Sequence, residues 1–152
     1  MTLLDGYSRA QLRQAYADAW RKFKAREPLT PVETLIAEVI VQHPRYHALL
    51  DDERAAVAFE TVAGVAENPF FHMGLHIAVR EQVAIDRPPG IRELQRLLEA
   101  GLGDPHRAEH ALAESLAETL WEAQRTGSAP DEARYIERVR LRLRLRLRPP
   151  PS

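Results

Sequence analysis

The sequence predicts an all-α protein: a compact bundle of about six helices with short connections. Three observations carry that reading. Apolar residues recur three and four positions apart, the period of one helix face. A capping residue followed by proline opens segment after segment, at Thr30-Pro31, Asn68-Pro69 and Asp104-Pro105. Nothing before the C-terminal tail alternates with the period of a strand.

The elements follow in order. Ser8 with Gln11 reads as a capping box, and Leu12, Tyr16, Ala19, Trp20 and Phe23 recur behind it, giving a first helix over 8–26. Glu27-Pro28 stops it, because a residue before proline avoids the helical region. Thr30 with Glu33 is a second box, opening a helix whose apolar face is Val32, Leu35, Ile36, Val39 and Ile40. His43 ends that face, and Pro44 forces a new start, so PRYHALL is expected as a short turn or helix. Residues 51–67 are read as helical from their alanines, against Gly64 and several valines. Asn68-Pro69 opens the next helix, and the run from Asp86 to Gly90 ends it. A shorter helix from Ile91 closes at Gly101 or Gly103. Asp104-Pro105 opens a long one, with Leu112, Leu116 and Leu120 inward and Gly127 as its stop. A last helix starts near Pro130 and runs through Tyr135, Ile136 and Val139. Both tryptophans, Trp20 and Trp121, are expected to be at least partly buried.

The 152 residues suffice for one domain, taken as residues 1–139, with 140–152 as an Arg/Leu- and Pro-rich tail. No stretch approaches the ~20 apolar residues of a bilayer span. The first residues have no basic start followed by an apolar run, so a cytoplasmic address is expected. There is no cysteine, hence no disulfide framework and no thiolate chemistry. The net charge is −1, yet residues 138–152 hold six arginines and no acid, leaving a mildly acidic body. That is no uniformly basic nucleic-acid binder, and outside the tail no nucleic-acid signal stands out. GLGD at 101–104 is too short for a phosphate loop and reads as a turn, so no nucleotide is expected. Ser8, Ser115 and Ser128 lack a nucleophile's setting. No catalytic residue is assigned, and whether the protein is an enzyme stays open. Partners are unassigned, with a homodimer one option.

The histidines are the feature that points to chemistry. All six fall in pairs four residues apart: His43/His47, His72/His76 and His106/His110. Four apart puts two side chains on one helix face, where both imidazoles can reach one metal ion. His72 and His76 share a face with Leu75, Val79 and Val83; His106 and His110 continue into Glu114 and Glu118. His47, His72 and His106 follow helix-opening prolines, where the positive end of the helix dipole favours the neutral imidazole a metal needs. The expected ligands are therefore His72, His76, His106 and His110, with Glu114 as carboxylate. Arg80 and Glu81 are candidates to support them from behind. His43 and His47 rank below, because Pro44 separates them. Imidazole with carboxylate suits zinc, iron, manganese or nickel. A four-histidine site requires the N-terminal ends of the helices opened by Pro69 and Pro105 to meet. The alternative is a helical protein-interaction module whose histidines only hydrogen-bond within the fold, as buried histidines often do.

The segment NPFFHMGLHIAVREQVAIDRPPGIR closely resembles an uncharacterised family of small proteobacterial proteins, domain of unknown function 1841. The pieces HPRYHALL, GDPHRAEH, LWEAQRTG and APDEARYIERV match it as well, so the resemblance covers the chain to about residue 139. It implies a bacterial cytoplasmic protein and implies no activity or catalytic residue. The ending LRLRLRLRPPPS is outside the family's pattern. Its period-two alternation leaves three outcomes: an extension of the last helix, disorder, or folding on an anionic membrane or nucleic acid.

Overall fold

The structure is a computed structural model that describes residues 8–59 and 68–147. Among these, every regular element is helical: α1 (Arg9–Lys24), α2 (Pro31–Val41), a 3-10 turn (Pro44–Tyr46), α3 (His47–Asp51), α4 (Glu53–Ala58), α5 (Pro69–Ile85), α6 (Ile91–Leu102), α7 (Pro105–Thr126) and α8 (Glu132–Leu147). The all-α class therefore holds, with more and shorter helices than expected, because the stretch after His43 divides into a 3-10 turn, α3 and α4. Asp52 makes the last division: it is extended, and its carboxylate accepts from the Ala55 N–H to start α4. The remainder of the helix expected over 51–67, from residue 60 on, lies outside the described residues, as do residues 148–152 of the tail.

The cap chemistry works as the sequence anticipates. Ser8 and Gln11 close a reciprocal capping box, and Thr30 and Glu33 a second. Asn68 Oδ1 accepts from the N–H groups of Phe70 and Phe71, and Asp104 Oδ1 from that of His106. Gly103 and Gly127 end α6 and α7 at φ +70° and +69°, a backbone state that glycine adopts without strain. No helix of the described residues is long and apolar enough to cross a membrane.

The chain divides into two compact units, one up to Ile77 and one from Ala78. In the first, α1 packs on α2, α3 and α4. Its core holds Tyr16, Trp20, Ile36, Val39, Ile40, Tyr46, Leu50, Met73 and Ile77. Trp20 is buried, and its Nε1–H donates to Asp51 Oδ1 at 2.7 Å, tying α1 to α3. The Tyr16 ring meets Phe70 edge-on at 5.4 Å, holding the start of α5 against α1.

In the second unit α6, α7 and α8 pack on one another around Ile91, Leu94, Leu98, Leu112, Leu116, Ile136 and Val139. Trp121 departs from expectation. It is 61% exposed, with the Arg125 guanidinium 4.6 Å over its ring. It sits on the solvent side of α7, where a cation shields one face of the indole. The tail also resolves one of its alternatives. Helix α8 passes residue 139 without a break and continues to Leu147. Arg142 Nε donates to the buried Ser115 Oγ at 2.8 Å, and its other nitrogens reach Glu114 at 2.9 Å and Glu118. One turn earlier, Arg138 donates to Thr119 Oγ1 at 2.9 Å and bonds Glu122. Spaced by four on both helices, these contacts form an antiparallel ladder in which α8 arginines hold α7 hydroxyls and carboxylates.

Candidate metal centre

The site begins at the C-terminal end of α2. A helix leaves its last carbonyls without intrahelical donors, and here two histidines supply them. His43 Nδ1 stands 2.7 Å from the Val39 carbonyl oxygen, and His47 Nε2 stands 2.7 Å from that of Ile40. A carbonyl only accepts, so each of these ring nitrogens carries the proton. The two residues use opposite nitrogens, and this separates their roles. His43, protonated at Nδ1, has its Nε2 lone pair directed away from α2. His47 has spent its Nε2, and its ring lies 4.5 Å from Trp20.

Pro44 is what parts them. His43 sits at φ −125°, ψ 68°, outside the helical region, and Pro44 starts the 3-10 turn behind it. Tyr46, on that turn, stacks nearly parallel on the His43 ring, 5.6 Å between centroids with 7° between planes.

His72 and His76 enter from α5. Asn68 and Pro69 fix the helix start, so the two imidazoles fall in its first two turns on one face, their ring centroids 4.8 Å apart. Both face His43. Its centroid is 4.9 Å from that of His72 and 4.7 Å from that of His76. The Nε2 atoms of His43 and His72 approach to 3.1 Å. One ligand nitrogen from each of the three histidines lies within 4.8 Å of the others. Two nitrogens sharing a tetrahedral ion through ~2.1 Å bonds stand ~3.4 Å apart, so the His43–His72 edge already has a ligand pair's length. His43 and His76 are buried and His72 half-buried. No other histidine or carboxylate among the described residues joins this group.

The remaining sequence-derived candidates stand elsewhere. His106 and His110 belong to the second unit, where neither enters a group of three ligand donors among the described residues. Half-buried His110 has its Nδ1 3.1 Å from Oε1 of the exposed Glu114, whose other oxygen receives Arg142. Arg80 pairs with Glu109 of α7 at 2.9 Å, and Glu81 is half-buried on α5. His43, which the sequence reading places below the other pairs, is the residue that joins His72 and His76 in this group. Its link with His72 spans 29 positions and carries no periodic signal. The one local clue is Val39 four residues before it, at a helix end where a ring N–H serves as a cap.

In comparison with known proteins, the model of the family described as Domain of unknown function (DUF1841) matches residues 8–141. No curated protein and no solved structure matches the chain.

Proposed function

The chain belongs to the DUF1841 family, whose description carries no activity, and we propose from the site's own chemistry that it binds a divalent transition metal through His43, His72 and His76. The observation that carries this reading is the Nε2 of His43. Its ring is held by Val39, so its lone pair is aimed at the nitrogen of His72, 3.1 Å away, with His76 beside both. A histidine whose far nitrogen is fixed by a carbonyl is the usual form of a metal-bound imidazole, because that bond sets both tautomer and orientation. Without an ion, the His72 Nε2–H donates into the same lone pair. Binding requires His72 to carry its proton on Nδ1 instead. Imidazole donors suit zinc, iron, nickel or copper.

The test is metal analysis of untagged protein purified without chelator, followed by titration of the stripped protein with Zn(II). One equivalent per chain is expected. His43→Ala and His76→Ala should abolish it, while the double variant His106→Ala/His110→Ala keeps it. A folded wild-type protein that takes up no ion in excess metal overturns the reading and leaves the histidines as hydrogen-bonding groups of a helical module. Loss of the ion in the double variant alone would move the site to α7.

A further inference from the structure

We infer that the ion held by His43, His72 and His76 keeps a coordination position for a small exogenous anion, an oxygen or nitrogen donor that exchanges with solvent. This rests on the metal reading above and goes beyond it.

The donor set supplies the first argument. Structural zinc sites are closed by four protein ligands, commonly thiolates with imidazoles, whereas three protein ligands leave the fourth place to water or substrate. This sequence has no cysteine, and no carboxylate among the described residues joins the three histidines. The described residues thus offer three nitrogens to an ion that takes at least four ligands.

Charge supplies the second argument. Three neutral imidazoles leave a divalent ion with its full double charge, next to two buried side chains. An uncompensated charge in such surroundings is costly, and an anion bound directly to the ion removes half of it. The helix acts in the same direction. His72 and His76 lie in the first two turns of the 17-residue α5, at the positive end of its dipole. That end opposes a bare cation and favours a cation–anion pair.

Access supplies the third. His43 and His76 are buried, but His72 is half-buried and its neighbour Phe71 is 54% exposed. The half-buried His72 is therefore the side from which a ligand of a few atoms would approach, since His43 and His76 are enclosed. The expected class is therefore small: azide among probes, and bicarbonate, formate or acetate among physiological shapes.

Cobalt(II) reports this directly, since its visible bands change with coordination number. The stripped full-length protein is loaded with one equivalent of Co(II) and titrated with sodium azide. A saturable change in the visible spectrum, with competition by acetate, is the result expected. The His106→Ala/His110→Ala protein should give the same titration. A Co(II) spectrum that azide leaves unchanged means a closed coordination sphere; it overturns this inference and leaves the metal reading standing. Failure to take up Co(II), together with failure to take up Zn(II), removes the metal reading itself.

Discussion

The histidine cluster of the first unit and the arginine ladder of the second use the same spacing for opposite ends. In both, side chains four residues apart line one helix face. On α8, Arg138 and Arg142 meet carboxylates and hydroxyls on α7, so donors face acceptors within the protein. On α5, His72 and His76 meet a third imidazole, so three like groups converge. Complementary groups that satisfy one another hold helices together. Like groups that converge are arranged for something else to come between them. Spacing alone therefore does not separate an adhesive from a site; the chemistry of the facing residues does.

The largest expected effect lies in the cluster. His43→Ala should abolish metal uptake and also lower stability by about 2 kcal/mol, because it leaves the Val39 carbonyl without its side-chain donor inside the core. Calorimetry with and without Zn(II) reads both losses. His47→Ala sharpens the point: it should cost stability on a similar scale through Ile40 and Trp20 yet leave metal stoichiometry unchanged. If His47→Ala also lost the ion, the division of labour between the two residues would fail.

The ladder should respond more weakly and without any effect on metal. Arg142→Ala is expected to cost about 1 kcal/mol in a urea melt, since it removes a charge-assisted contact to a buried hydroxyl and two carboxylates that water can still reach. An unchanged midpoint would show that the Arg142 contacts contribute nothing to the fold.

Acid tests a carboxylate that lies outside both regions. Lys22 and the Thr30 N–H bond Glu33 and lower its carboxyl to about 2. A carboxyl lowered in the folded state contributes stability that is present above its ordinary range, near ~4.3, and is lost as pH falls toward about 2. Thermal melts should fall across that window, and Glu33→Gln should flatten the slope. Trp121→Ala is the smallest change: within about 0.5 kcal/mol, because the ring is mostly in solvent.

Much of the fold was legible because its signals are local. Ser8, Thr30, Asn68 and Asp104 each satisfy N–H groups within three residues of themselves, so the helix starts could be read from four-residue windows. Gly103 and Gly127 likewise end their helices by their own backbone freedom. The common face of His72 and His76 needs only the helical period.

What the sequence by itself determined is thus the helical class, most helix boundaries and two of the three histidines of the candidate site. Only the tertiary structure decided that His43 and not His47 turns toward α5, that Arg142 belongs to the packed part of α8, and that Trp121 faces solvent. The first two depend on partners 24 to 29 residues away, brought close by packing. A cap is a contract between neighbours in the chain and leaves its trace in their spacing. A contact across two helices is set by how their faces meet, and no short window of sequence records that.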